Sequence, residues 1–450
     1  MTGLRIELRR STALWAGLLV LVSGTGMLWL VTSESGRWQA NSTSAVLELR
    51  LPLAYVWALV VGFAAFQGMR DSRSRVTELF TATSRPGWVR LGTLATAVSG
   101  VVAVATALLC AGLVARVAFG GGFVSIGFLP LMLTVVLALS SSVLLGLAIG
   151  RLLPHPLTVP VALVGTFMLA TAAGRAVEAR SPGDEISRLA LLTPVLAPPN
   201  SDLVTTSTSV DLGQVLWFTG LGVTAFLLLV SRSALTRLAA LVPAGLALAL
   251  AVSVLPARYS DVLVNDSIAS RLVCDGEVCV GQVHEDRLPV VAAAGRAALA
   301  KLAVLPDAPE EVREDTSAMA HLTAPQRDPR VVYVSSQGYP PPLTMTEDQV
   351  RLELLAGAGV AGCAAPNSFN TDEGVVRYVT ASYFNGGLAE LASDPFMWNN
   401  DRLRAEIDQA WQRFRARSAR EQLDGVAQAR QMLLTCQDSA LVLDALTGTR

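Results

Sequence analysis

Residues 128–150 read FLPLMLTVVLALSSSVLLGLAIG, with no acidic, basic or histidine side chain in 23 positions. A helix needs roughly 20 such residues to cross about 30 Å of hydrocarbon. A soluble domain rarely carries an apolar run this long, so this stretch predicts a membrane span. Working outward, runs of the same kind occupy 12–32, 51–69, 91–115, 157–173, 212–230 and 238–255, and none of them holds Asp, Glu, Lys, Arg or His. The fifth in chain order, 157–173, and the seventh are the shortest. The N-terminus starts like a signal peptide, with Arg5, Arg9 and Arg10 ahead of an apolar run. That run is too long, and no Ala-x-Ala cleavage site follows it, so the reading is a retained first span.

Composition changes sharply near Pro256. Residues 1–256 carry 17 Arg and 10 acids, a net of +7, whereas residues 257–450 carry 17 Arg, one Lys and 26 acids, a net of −8. Two domains follow: a membrane domain over 1–256 and a soluble domain over 257–450. The expected fold class is an all-α polytopic helix bundle of about seven spans, followed by a mainly helical α+β soluble domain. Arginines orient such a bundle, because cytoplasmic connections carry the positive excess. With the N-terminus inside, the inner connections hold Arg5, Arg9, Arg10, Arg70, Arg73, Arg75, Arg85, Arg90, Arg151, Arg232 and Arg237. The outer ones hold Arg37, Arg50, Arg116, Arg175, Arg180 and Arg188. Eleven against six places the N-terminus in the cytoplasm, and an odd span count then places residues 257–450 outside. The near absence of lysine and the heavy use of Ala and Val fit a GC-rich bacterial genome, hence a bacterial plasma membrane. No basic stripe interleaved with aromatics appears, which argues against nucleic acid as a partner.

Cysteine usage supports that orientation. Cys110 lies in the third span, while Cys274, Cys279, Cys363 and Cys436 all lie in the soluble domain. An even set confined to an exported domain is what oxidative pairing produces. Cys274 and Cys279 bracket the turn-forming Asp275-Gly276-Glu277 and could close a small ring, leaving Cys363 for Cys436. The alternative is four reduced, buried thiols. Zinc is disfavoured, because Cys-x4-Cys has no matching second pair and no histidines nearby.

Several chemistries have no residues to carry them. The one lysine, Lys301, is followed by Leu302, so the chain has no phosphate-cradling Gly-x4-Gly-Lys-Ser/Thr loop. The spans contain no ionisable relay of the kind proton-driven carriers use, although sodium sites built from backbone carbonyls stay open. Neither His-Glu-x-x-His, Gly-x-Ser-x-Gly nor Ser-x-x-Lys occurs. His284-Glu285-Asp286 reads as the charged first turn of a helix rather than a ligand cluster. The expectation is a chain without catalytic residues, metal or cofactor of its own.

The longest inner connection runs from Arg70 to Arg90. Within it Val76, Leu79, Phe80 and Thr83 recur at helical spacing, Thr77, Glu78, Thr81 and Arg85 face away, and Pro86-Gly87 stops the helix. Such a helix can simply lie in the membrane interface. The text Arg75-Val-Thr-Glu-Leu-Phe-Thr-Ala-Thr-Ser-Arg85, straight after the second span, resembles the loop of ABC transporter permeases of the export (type-2) superfamily. Gly146-x-x-x-Gly150 followed by Arg151-Leu-Leu-Pro154 is similar to the end of the fourth span in actinobacterial members. Val278-Cys279-Val280 and the helix after it resemble tails on some of them. The likeness covers roughly residues 1–255; the family's core has six spans, and this chain offers seven. The resemblance implies an ATP-driven exporter subunit whose 76–85 helix docks on a separate nucleotide-binding ATPase through Val76, Glu78, Leu79, Phe80 and Arg85. ATP and Mg would then belong to that partner, and a second permease copy or homologue would complete the assembly in the lipid bilayer.

Residues 257–450 suggest helices with one or two strands. Leu288, Val291, Leu299 and Leu302 have near-helical spacing, and Arg330–Ser335 is a strand candidate. Thr346-Glu-Asp-Gln349 forms a capping box, and one long charged helix is expected from Asn400 to about Cys436. The alternative to a transport subunit is a membrane-anchored sensor or assembly protein that works through this domain.

Overall fold

The computed structural model describes residues 13–32, 39–73, 87–178, 181, 183–197, 201–317, 326–335, 345–363 and 370–448. The chain is mostly helical and divides into two compact units between Val264 and Asn265.

The first unit contains α1 (Ala13–Thr32), α2 (Ser42–Glu48), α3 (Leu53–Gly68), α4 (Gly87–Phe119), α5 (Phe128–Leu152), α6 (Thr158–Val177), α7 (Thr208–Val230), α8 (Ala234–Ala239) and α9 (Val242–Val254). Six stretches among the described residues are long and apolar enough to cross a membrane: Ala13–Leu30, Trp88–Phe119, Phe128–Leu152, Thr158–Val177, Thr208–Val230 and Ala234–Val254. The pair α2 and α3 meets the same criterion only when taken together, bent by 56°. The sequence suggests one continuous span over 51–69, but α3 alone has 16 residues. Pro52 immediately precedes it, and a proline lacks the N–H that would carry the helix through the break.

Side-chain contacts fix the running directions. Gly17 lies against Val101 and Gly24 against Leu109, so α1 and α4 run the same way. Trp57 donates its indole N–H to Ser142, and Gly146 and Gly150 lie against Ala64 and Ala65, which makes α3 and α5 parallel. Tyr55 meets Phe167, with ring centroids 5.2 Å apart, and Gly62 meets Leu163; α6 therefore runs against α3. Arg151 donates to the Leu229 carbonyl at 2.5 Å, so α7 follows α5. Ala244 donates its backbone N–H to Thr224 Oγ1 at 2.8 Å, and Gly213 packs on Leu255, which sets α9 against α7. A Cβ at Gly146 would stand 2.6 Å from that of Ala64, and one at Gly150 would collide with the Ala65 carbonyl. These two glycines thus serve close packing of α3 on α5 rather than facing lipid.

The bundle consequently has two ends. At the first, the Arg70–Arg73 turn meets the start of α4 through Arg90 and Asp71 at 2.5 Å, and α5 and α7 terminate together. This basic end carries Arg70, Arg73, Arg90, Arg151, Arg232 and Arg237. The opposite end is capped by its connections. Ser42 N bonds Phe123 O at 3.0 Å, Ile186 N bonds Ala257 O at 2.8 Å, and Ser207 N bonds Val262 O at 2.8 Å. A two-stranded ladder of β1 (Val204–Thr206) and β2 (Leu263–Asn265) lies here, where the chain leaves the bundle.

The second unit is built on a four-stranded sheet in the order β3 (Leu272–Asp275), β4 (Val278–Gly281), β5 (Glu311–Asp315), β6 (Val331–Ser335). The first pair is antiparallel and the other two are parallel. Helix α10 (Leu288–Leu302) covers it, with Val291, Ala298 and Leu302 joining Val278, Val312 and Val332 in one core. Then come α11 (Glu347–Leu355), α12 (Thr371–Asn385), α13 (Asp401–Arg415), α14 (Ala419–Leu434) and α15 (Ser439–Thr447). The Thr346–Gln349 capping box is present. The sheet has more strands than the sequence suggests, because β3 and β4 have only four residues each and β5 reads Glu-Val-Arg-Glu-Asp, without apolar alternation. The helix expected from Asn400 to Cys436 is two. Ser418 forms its own capping box with Glu421, starting a new helix after Arg417.

Candidate functional site

The capped end of the bundle holds a polar node that grows from the break between α2 and α3. Asn41 caps α2, its side-chain oxygen accepting from Thr43 N at 3.0 Å, while its amide donates to the Asp202 carbonyl at 2.8 Å. Thr43 and Ser125 share a hydroxyl contact of 3.3 Å. In the break itself, Arg50 is completely buried. Its Nε donates to Pro194 O at 3.0 Å and its Nη2 to Gln214 Oε1 at 2.5 Å. Gln214, on α7, donates in turn to Leu191 O at 2.7 Å and Thr193 O at 3.0 Å. Asp211, one turn earlier on α7, accepts from Thr206 at 2.7 Å and acts on Arg50 as the opposing charge. Arg50 Nη1 has no hydrogen-bond partner among the described residues. One guanidinium thereby ties the bent pair, the connection at 190–194 and α7 together, and separating α3 from α7 at this end must break its bonds. Sequence reading places Arg50 only in an outer connection. Its partners lie 144 and 164 residues away, and no local pattern announces them.

The residues expected to couple to an ATPase, Val76, Glu78, Leu79, Phe80 and Arg85, lie outside the described residues. The described residues that flank them, Arg73 and Gly87, belong to the basic end.

In the second unit, Cys274 faces Cys279 across the β3–β4 hairpin with Cα atoms 4.1 Å apart, and Cys363 meets Cys436 with Cα atoms 5.5 Å apart. Both pairs stand at disulfide distance, whereas Cys110 is buried and free in α4. The motif His284-Glu285-Asp286 falls in a 3₁₀ turn, Gln282–Arg287, ahead of α10. His284 turns inward, its Nδ1 2.9 Å from Glu314 Oε1, and Glu314 Oε2 accepts from Gly281 N at 2.7 Å. This buried pair fastens the turn to β5, and the sequence hides it because Glu314 lies 30 residues on. Arg430 is buried as well, donating to Ala358 O at 2.5 Å and Pro329 O at 2.6 Å. Burial lowers its guanidinium pKa below the ordinary value, with the Asp307 charge pulling the other way. It braces a turn in which Gly357, Ala358 and Gly359 all have positive φ. Among the described residues, no group of three or more His, Cys, Asp or Glu side chains is placed to hold a metal ion.

No protein-family model, curated protein or solved structure matches this chain.

Proposed function

We propose that the chain is the membrane-spanning subunit of an ATP-driven ABC exporter of the type-2 superfamily. In this reading all seven traverses cross the bilayer, the basic end faces the cytoplasm and residues from 257 onward lie outside. A separate nucleotide-binding ATPase docks on the 76–85 segment, and a second permease copy completes the transporter. One observation carries the reading: within the first unit, the connection between α3 and α4 and the point where the chain leaves α9 fall on opposite ends of the bundle. The connection that resembles a coupling loop joins α3 to α4 at the arginine-rich end. From the opposite end the chain leaves toward the region with two cysteine pairs. Cytoplasmic arginines and extracytoplasmic cystines are what an oriented bacterial membrane protein needs.

Affinity purification in mild detergent tests the coupling. A nucleotide-binding subunit in stoichiometric amount is expected, and recovery of envelope proteins without one would favour a sensor or assembly protein instead. Orientation is tested separately. A membrane-impermeant thiol reagent applied to intact cells should label Ser260→Cys and spare Ser74→Cys. The reverse pattern would invert the topology, and equal labelling of both would mean a miscounted span.

A further inference from the structure

At the basic end, the turn between α7 and α8 and the start of α4 enclose an open groove of about 650 Å³. It is lined by the apolar Trp88, Val230 and Ala239 and by the polar Arg232, Ser233 and Thr236. Four arginines surround this corner: Arg90, Arg232 and Arg237 all lie within electrostatic reach of Arg151, with Asp71 the one acid acting on it among the described residues. Two of the four are engaged, Arg90 with Asp71 and Arg151 with the Leu229 carbonyl. Arg232 and Arg237 are exposed, and their guanidinium groups have no hydrogen-bond or ion-pair partner among the described residues. Beside them α8 and the start of α9 present Leu235, Leu238 and Leu241 at 79%, 68% and 49% exposure, and Trp88 is 61% exposed.

We infer that this groove binds an anionic phospholipid, the phosphate held between Arg232 and Arg237 and an acyl chain laid along the apolar wall. Charge complementarity selects the headgroup, because two unpaired cations at a membrane border attract anionic lipid. The wall selects a lipid over a small soluble anion, which would leave the Trp88 and Val230 side uncovered. Trp88 opens the apolar stretch Trp88–Phe119, and on the membrane reading a tryptophan at a span end is where indoles concentrate. The inference rests on the membrane reading of the helices and is independent of any ATPase partner.

The test uses the full chain in zwitterionic detergent, titrated with phosphatidylglycerol and phosphatidylcholine of equal chain length, bound lipid being counted by native mass spectrometry. Wild type should prefer phosphatidylglycerol by about tenfold or more. The double substitution Arg232→Gln with Arg237→Gln should remove most of that preference. Replacing both with Lys, which keeps the charge, should largely restore it and controls for misfolding. Arg175→Gln at the capped end should change nothing. An unaltered preference in the glutamine double variant overturns the assignment, as does an equal loss in Arg175→Gln. Displacement of the lipid by millimolar inorganic phosphate would show a free-anion site instead, and would overturn the lipid assignment too.

Discussion

Replacing Leu79 and Phe80 with Asp is expected to strip the nucleotide-binding subunit from the purified protein and abolish transport. Under the proposed function both side chains are buried in the partner, and full burial of a Leu or Phe contributes about 1.5–3 kcal/mol each. Losing both, and placing two carboxylates in an apolar groove, should weaken docking by about 100-fold or more. The bundle itself should be unaffected, because its described contacts run between helices and not through this connection. Measurement of ATPase retention alongside the thermal stability of the permease separates coupling from folding. A variant that keeps its ATPase and full transport would return the 76–85 segment to a helix lying in the interface.

Arg50→Ala should be the most damaging single substitution in the first unit. The guanidinium is fully buried and carries bonds to Pro194 O and Gln214 Oε1, with Asp211 as its counter-charge. Removing it leaves buried acceptors without donors and Asp211 without its cation. Breaking an interaction of this kind typically costs about 3–5 kcal/mol. The expected result is a clear fall in the unfolding temperature of the detergent-solubilised protein, together with faster amide exchange over residues 190–197. Arg50→Lys should recover only part of the loss, since one ammonium cannot reproduce a planar fork aimed at two acceptors. An unchanged unfolding temperature and unchanged exchange would show that the node holds nothing together.

The long apolar runs were legible because each span is a local property: some 20 consecutive residues decide it without help from the rest of the chain. Cysteine placement was legible for a related reason. Cys274 and Cys279 bracket their own turn, and with Cys110 inside a span only Cys363 and Cys436 remained. Capping chemistry is also local, and Thr346 with Gln349 does what its spacing predicts. Ser418 carried the same kind of signal, with Glu421 three residues on, yet the helical periodicity of the surrounding charges masked it.

The sequence by itself therefore determined that this is a chain of membrane-length apolar helices followed by a mixed helix and sheet region, and which ends of those helices are basic. Only the tertiary structure decided that a short helix, α2, precedes the second apolar stretch at a 56° bend, that Gly146 and Gly150 seat α5 on α3, and that Arg50, His284–Glu314 and Arg430 are buried. The division has a physical cause. Hydrophobicity and capping act over a few neighbouring residues, so a linear reading captures them. A buried polar group is held by whichever partners the fold brings to it, and for Arg50 those stand 144 and 164 positions away.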